Sequence, residues 1–269
     1  MRLAYFDCIA GISGDSALAA LLDAGVDLDE LRSHLSTLPL EPFELEVDEV
    51  DEHGVRATRV GVRRTGTTGL IRTYASVRAL LDEADLPTEA MRLANRIFRR
   101  FAEAEARVHR RDVETVTFHD AAGLDTIVAV TGTALALAML GIERMFSSAV
   151  PTGFGMTRTE HGAMPIPTPT VVELLRGAPL FSRGVAAELT NATGAAILAA
   201  TVEGFGELPV MRVEAAGYGA GAARLDFPNV TRVLIGLEET AKSLPSVPGT
   251  PELRLVPEPT EVETEGSAG

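Results

Sequence analysis

Cysteine is almost absent from the sequence, since Cys8 is the single thiol in 269 residues. A disulfide framework needs at least two cysteines and a thiolate zinc site needs several, so both kinds of scaffold are excluded. A lone cysteine is typical of proteins of the reducing cytoplasm, which is where we expect this chain to function.

Basic residues are few compared with acidic ones. The chain has 24 lysines and arginines against 38 aspartates and glutamates, which gives a formal net charge of −14 and a pI of about 4.8. General binding to nucleic acid or to anionic membranes needs a basic face, so neither partner is expected.

Long apolar runs are also lacking. The longest, residues 127–142, is interrupted by Thr131, Gly132 and Thr133 and is too short for a membrane span. The N-terminal apolar stretch is short and carries Asp7, which does not fit a signal peptide. The sequence therefore predicts neither a membrane anchor nor a leader.

One stretch combines reactive side chains with a strongly apolar run. Residues 118–125 read FHDAAGLD, so His119, Asp120 and Asp125 come directly before the apolar residues that lead to Gly141. Because these residues are apolar on every side, they predict a helix over residues 124–140 that is buried all round, with Gly141 as its stop.

The three polar residues lie at the predicted start of that helix, where backbone N–H groups are unpaired and the helix dipole is positive. Side chains fixed to the end of a rigid element are preorganised, and we interpret His119, Asp120 and Asp125 together as a site. The alternative is that Asp125 caps the helix and that His119 is an ordinary loop histidine.

A second candidate site lies near the N-terminus. Residues 2–8 predict a short buried strand, residues 10–15 (AGISGD) a glycine loop, and the following residues a helix, which is the general geometry of an anion cradle. The loop lacks the lysine of a P-loop. Asp7 and Asp15 on either side of it suit Mg²⁺ or Mn²⁺ carrying a nucleotide better than a bare phosphate. Alternatively, Asp15 only caps the helix.

Four further segments enter the assignment of sites. Residues 113–118 predict a strand that leads into His119, and His161 precedes a glycine on a loop within reach of that histidine. Thr190 and Thr193 stand at the predicted start of an alanine-rich helix, where capping is the usual role of a threonine hydroxyl. Residues 217–221, GYGAG, predict a glycine loop, and no following helix supports a dinucleotide site.

Strand and helix patterns alternate along the chain without a linker until Thr240. This alternation predicts an α/β fold with a mixed sheet and the buried central helix, in a single domain over residues 1–239. Residues 240–269 are rich in proline, glutamate, threonine and serine, and predict a disordered tail.

Taken in order, these motifs resemble the nickel-insertion protein LarC family over residues 1–239. The motifs are YFDC at residues 5–8, AGISGD at 10–15, FHD at 118–120, DTIV at 125–128, TEHG at 159–162, residues 165–175, and GYGAG at 217–221. The resemblance implies an enzyme, a nickel chelatase, that inserts nickel into pyridinium-3,5-bisthiocarboxylic acid mononucleotide and so makes the nickel-pincer nucleotide cofactor. It also implies a requirement for CTP with a divalent cation, Mg²⁺ or Mn²⁺.

On this basis the candidate residues receive roles. Nickel would be bound by imidazole and carboxylate groups, which suit Ni²⁺. The candidate metal ligands are His119, Asp120, Asp125 and His161; the candidate catalytic residues are Asp7, Asp15, His119, Asp120 and Asp125; the candidate nucleotide-binding residues are Gly11, Ser13, Gly14, Thr190 and Thr193.

Three departures from the family pattern bear on what the resemblance implies. No histidine occurs in residues 63–73, where members of the family carry a histidine-rich loop, and Asp120 and Ala129 stand where the family has a glutamate and an aspartate. Members also continue into a separate C-terminal domain implicated in CTP binding. Either a separately encoded partner supplies that domain, or the chain has lost the reaction. The alternative function is a non-catalytic nickel- or nucleotide-binding carrier or scaffold. The sequence leaves open whether the chain forms a homo-oligomer.

Overall fold

The structure is a computed structural model that describes residues 1–66, 72–117, 123–159 and 162–239. The strands are β1 (Arg2–Asp7), β2 (Phe43–Glu52), β3 (Val55–Arg64), β4 (Arg144–Ser147), β5 (Val150–Pro151), β6 (Met156–Thr159), β7 (Gly162–Pro165), β8 (Leu180–Phe181), β9 (Gly204–Phe205), β10 (Met211–Ala220) and β11 (Val230–Glu238). The helices are α1 (Gly14–Asp23), α2 (Leu28–Leu35), α3 (Tyr74–Glu83), α4 (Thr88–His109), α5 (Leu124–Met139), α6 (Pro169–Leu174) and α7 (Ala192–Thr201).

Seven strands form one mixed sheet in the order β2–β3–β10–β11–β1–β4–β9. Strand β1 pairs antiparallel with β11 on one side and parallel with β4 on the other. Two small sheets lie apart from it: β5 pairs with β8, and β6 forms an antiparallel hairpin with β7. The predicted α/β fold with a mixed sheet is therefore confirmed.

The predicted central helix is confirmed as α5, which begins at Leu124 and ends at Met139, with Gly141 in a left-handed conformation (φ 62°) directly after the cap. It is buried along nearly its whole length and packs against both α1 and α4. Helix α1 also covers β3, β10 and β11, so it lies between α5 and the sheet. Small residues allow this close packing, since a Cβ at Gly132 would lie 2.9 Å from Leu18 of α1.

The GYGAG motif is not the glycine loop that its sequence predicts, because residues 211–220 form strand β10. Helix α1 crosses this strand at very short range. A Cβ at Gly217 would lie 2.0 Å from the carbonyl oxygen of Ala20, and one at Gly219 would lie 1.9 Å from that of Ser16. Because Gly217 and Gly219 have no side chains, this face of the strand can contact the helix backbone directly.

The predicted strand over residues 113–118 is wrong for the part that the structure describes. Residues 113–115 form one turn of 3-10 helix, and Thr117 makes only an isolated bridge to Thr73. The side chain of Asp112 accepts a hydrogen bond from the backbone N–H of Glu114 (2.8 Å), a local turn that competes with extended structure.

Several predictions fall outside the described part of the chain. These are the tail over residues 240–269 and the segments that contain His119, Asp120 and His161. Within the four described ranges, none of the helices is both long enough and apolar enough to cross a membrane.

Candidate functional site

A cavity of about 370 Å³ borders the first turns of α1, α5, α6 and α7, the C-terminal half of α4 and the β6–β7 hairpin. The backbone N–H groups at the start of a helix have no intrahelical partner, and the helix dipole is positive there. The fold therefore gathers several helix N-termini around one space, although these helices are far apart in the sequence.

Two aspartates occupy equivalent positions at this cavity. Asp15 is the second residue of α1 and Asp125 is the second residue of α5, and both line the space. Neither is the N-cap of its helix: α1 is capped by Ser13, whose side chain accepts a hydrogen bond from the N–H of Ser16, and α5 begins after Gly123 without a side-chain cap. The capping alternative raised by the sequence does not explain these two carboxylates.

The electrostatic state of Asp15 is unusual for a carboxylate. Burial and the nearby negative charge of Asp125 raise the pKa of Asp15 from 3.8 to about 6. Asp15 is partly buried and Asp125 is exposed. Two carboxylates close together repel each other when both are ionised, and a cation between them removes that cost. The pair is therefore arranged to bind a proton or a metal ion.

Other charged groups complete an acidic lining. Glu105 and His109, one helical turn apart on α4, are 3.2 Å apart between Oε2 and Nε2, and Glu188 lines the same cavity. Arg158 on β6 also lines it. None of these four residues was predicted from the sequence. The i,i+4 spacing of Glu105 and His109 is a usable signal, but it lies on a helix whose charged face is largely solvated.

The structure brings four of the predicted site residues to the cavity: Gly14, Asp15, Asp125 and Thr193. Within the described ranges, no three histidine, cysteine, aspartate or glutamate side chains are grouped closely enough to hold a metal ion. Three of the four predicted metal ligands, His119, Asp120 and His161, lie outside those ranges. In the sequence, His119 and Asp120 shortly precede the lining residue Asp125, and His161 shortly follows the lining residue Thr159.

Comparison with known proteins identifies the family. A family model described as nickel insertion protein matches residues 4–254. The chain belongs to the nickel insertion protein family. It is 43% identical over 237 residues to a putative nickel insertion protein of Geobacter sp. (strain M21), covering 88% of this chain and 62% of that protein. It is 38% identical over 237 residues to a pyridinium-3,5-bisthiocarboxylic acid mononucleotide nickel insertion protein of Desulfitobacterium hafniense (strain DSM 10664 / DCB-2), covering 88% of this chain and 58% of that protein.

This nickel insertion family member spans about three fifths of the length of the curated relatives that it matches. No solved structure matches the chain.

Asp7 has a partner away from the cavity. Its carboxylate accepts hydrogen bonds from the guanidinium of Arg232, with 3.1 Å between Arg232 Nε and Asp7 Oδ2. Asp7 is not among the residues that line the cavity. The two aspartates that flank the glycine loop, Asp7 and Asp15, are therefore not brought into one cavity. A cation at Asp7 would have to compete with Arg232.

The glycine loop is filled by the protein itself. A Cβ at Gly11 would lie 2.0 Å from the carbonyl oxygen of Leu189, and one at Gly14 would lie 2.6 Å from the methyl group of Thr193. Thr190 accepts a hydrogen bond from the N–H of Ile12 and donates one to the carbonyl of Pro151. The loop thus packs against the chain that leads into α7 and does not form an open phosphate cradle.

The hydroxyl groups at the start of α7 are also engaged. The N-cap of α7 is Asn191 and not one of the two predicted threonines. The Asn191 side chain accepts a hydrogen bond from the Gly194 N–H at 2.9 Å. The Thr193 hydroxyl lies 3.3 Å from that of Thr126 on α5. Thr193 therefore links two helix ends at the cavity wall, whereas Thr190 is fully buried behind it.

Cys8 does not contribute a thiolate to the site. It is fully buried next to Ser147, and burial raises the pKa of its thiol to about 12. Metal binding by a cysteine requires its thiolate. Cys8 is therefore not a nickel ligand in the folded chain.

Proposed function

We propose that this chain acts as a nickel chelatase that inserts nickel into pyridinium-3,5-bisthiocarboxylic acid mononucleotide. Membership of the nickel insertion protein family and the name of the Desulfitobacterium relative support the reaction. The observation that carries the proposal is the carboxylate pair of Asp15 and Asp125 at one acidic cavity.

Nickel enters this proposal as a substrate that the cavity holds before its transfer. Carboxylate and imidazole groups suit Ni²⁺, and metal ligands must be deprotonated when they bind. Asp15 and Asp125 supply two carboxylates, and His119, Asp120 and His161 are the further ligands that the sequence predicts. Nickel binding displaces the proton that Asp15 holds at mildly acidic pH.

CTP with Mg²⁺ or Mn²⁺ and a separately encoded partner enter the proposal on the family resemblance alone. The glycine loop formed by residues 11–14 is occupied by the protein's own backbone and side chains, so we assign it no step of nucleotide chemistry. Gly11, Ser13, Gly14, Thr190 and Thr193 remain sequence predictions for nucleotide binding, as Asp7 does for catalysis.

The decisive binding experiment is a calorimetric titration of the protein with Ni²⁺. Asp125→Asn keeps the shape of the side chain and removes one carboxylate, and loss of a ligand weakens a metal site by about 10–100-fold or more. Asp29→Asn is the matched control, because the side chain of Asp29 is 95% exposed on α2. Equal nickel affinity in Asp125→Asn and wild type would remove the carboxylate pair from the proposal.

A product assay separates a chelatase from a carrier. The protein is mixed with the bisthiocarboxylate mononucleotide, Ni²⁺ and CTP, with and without the candidate partner, and the nickel-pincer nucleotide is measured. Product that depends on this chain supports the chelatase. Stoichiometric nickel binding without product under either condition identifies a non-catalytic carrier or scaffold instead.

A further inference from the structure

Arg158 is the one arginine among the residues that the structure places around the cavity. It comes from β6, in the hairpin that stands apart from the seven-stranded sheet. The carboxylates of Asp15, Glu105 and Asp125 come instead from the packed helices α1, α4 and α5. This arginine is therefore delivered by a different structural unit from these three acidic groups.

Among the described residues, Arg158 also has no charge partner. Arg107 pairs with Glu173, Arg144 pairs with two glutamates, and Arg232 pairs with Asp7. In the described part of the chain, Arg158 has neither an ion pair nor a side-chain hydrogen bond, even though carboxylates line the same cavity. Arg158 is exposed, and no described side chain occupies its guanidinium, which leaves it available to a ligand.

We propose that Arg158 binds the phosphate of the mononucleotide substrate and so orients its thiocarboxylate groups toward the acidic part of the cavity. This inference rests on the proposed function, because it concerns the same site. The substrate has a phosphate at one end and metal-binding groups on the pyridinium ring. A phosphate is repelled by a lining rich in carboxylates unless a cation meets it, and the planar guanidinium can donate two parallel hydrogen bonds to phosphate oxygens.

The size of the cavity fits this assignment. Its volume of about 370 Å³ lies within the range of roughly 300–1,000 Å³ that is usual for small-molecule sites. Hydroxyl groups of Thr157 and Thr168 line it as well. One arginine with neutral polar neighbours distinguishes a monophosphate from a nucleoside, which is the selectivity that this substrate requires.

The competing explanation is that Arg158 only offsets the negative charge of the cavity without touching a ligand. The two explanations differ in one measurable way. A direct phosphate contact makes the effect of an Arg158 substitution depend on the phosphate of the ligand. A general electrostatic effect changes the affinity for nickel, because the charge next to the carboxylates changes, and shows no such dependence.

The test uses nicotinic acid mononucleotide, a pyridinium mononucleotide with one ring carboxylate, and its nucleoside without the phosphate. Both are titrated calorimetrically into the nickel-free full-length chain. We expect the wild type to bind the mononucleotide at least about tenfold more tightly, since a hydrogen bond to a charged group contributes a factor of about 10–100. Arg158→Gln should remove that preference, and Arg158→Lys should retain part of it.

Arg92→Gln is the matched control, since Arg92 is an exposed arginine that does not line the cavity. It should bind both ligands as the wild type does. Undetectable mononucleotide binding by the wild type, equal wild-type affinity for the two ligands, or an unchanged preference in Arg158→Gln would each overturn the inference. A nickel titration of the same proteins distinguishes failure of the nickel site from failure of the phosphate contact. If the wild type does not bind nickel, the nickel site is refuted. The phosphate selectivity is measured without the metal and does not depend on that result.

Discussion

At Asp15, burial and a neighbouring charge outweigh the favourable field of a helix N-terminus. That field normally stabilises a carboxylate, yet the pKa of Asp15 is raised to about 6. The folded protein therefore holds a proton at Asp15 over a pH range in which the unfolded chain has released it. Two consequences can be measured, one on nickel binding and one on stability.

The first consequence is a pH-dependent nickel affinity. Below pH 6, Ni²⁺ must displace the proton of Asp15, so we expect the apparent affinity to rise by up to about tenfold per pH unit and to level off above pH 6. Titrations between pH 5 and 8 in one buffer series measure this rise. In Asp15→Asn the rise over this window should shrink, and an identical pH profile in the variant would contradict a role for this proton.

The second consequence concerns stability. Between the unfolded pKa of 3.8 and the folded pKa of about 6, the folded state binds more protons than the unfolded state, so the contribution of Asp15 to stability falls as pH rises. Asp15→Asn removes the charge, and we expect it to stabilise the nickel-free protein by about 1–3 kcal/mol at pH 7–8. Urea unfolding measures the difference. At pH 4, where Asp15 is protonated in the folded state, the two proteins should be nearly equal.

The sequence identified Asp15 and Asp125 as candidates because both stand at the start of a predicted helix, and the structure places both at one cavity. It did not identify Glu105, Glu188 or Arg158, because their relevance depends on which elements meet in space. It also grouped Asp7 with Asp15 from their positions around one loop. The antiparallel neighbour β11 brings Arg232 directly opposite Asp7, and a long-range strand pairing of this kind leaves no local trace.

Among the elements, the central helix was predictable, whereas the glycine-rich end of strand β10, residues 217–220, was predicted as a loop. The run from residue 124 to 140 is apolar all round, which specifies a buried helix regardless of its neighbours. The glycines of β10 indicate a loop by local propensity, but they are required by the backbone of α1, which the local sequence does not contain. Tertiary packing therefore overrides propensity at this strand.

The contact between α1 and β10 gives a sharp test at this scale. In Gly219→Ala the new Cβ would meet a backbone carbonyl at 1.9 Å, which no rotamer change relieves, so helix and strand must separate. We expect a loss of about 2–4 kcal/mol in the free energy of unfolding, measured with urea. Gly61→Ala, in strand β3, is the matched control, because its nearest neighbour would be the Glu46 carboxylate at 3.8 Å. Similar effects in the two variants would refute the packing argument.

At the scale of the whole molecule, the sheet joins distant parts of the sequence. Strand β1 lies between β11 and β4, and β3 lies beside β10, so strands near the two ends of the described chain alternate in one sheet. Composition and periodicity predict the strands but not this order, since each pairing depends on surfaces formed only after folding. The cavity has the same origin, because α1, α5 and α7 begin beside one another only when the sheet has formed.

The pairing of strands from distant parts of the chain in one sheet also supports a single domain. We predict that residues 1–239 form a single domain and that residues 240–269 are a separate disordered tail, because the tail is rich in proline, glutamate, threonine and serine. Limited proteolysis followed by mass spectrometry should remove residues beyond about 240 first and leave one resistant core. Nickel affinity of the trimmed core should equal that of the intact chain, since every cavity residue that the structure describes precedes residue 194. Early cleavage near residue 85 or 205 into stable fragments would contradict the single domain, because either cut separates β1 from β11 and β3 from β10.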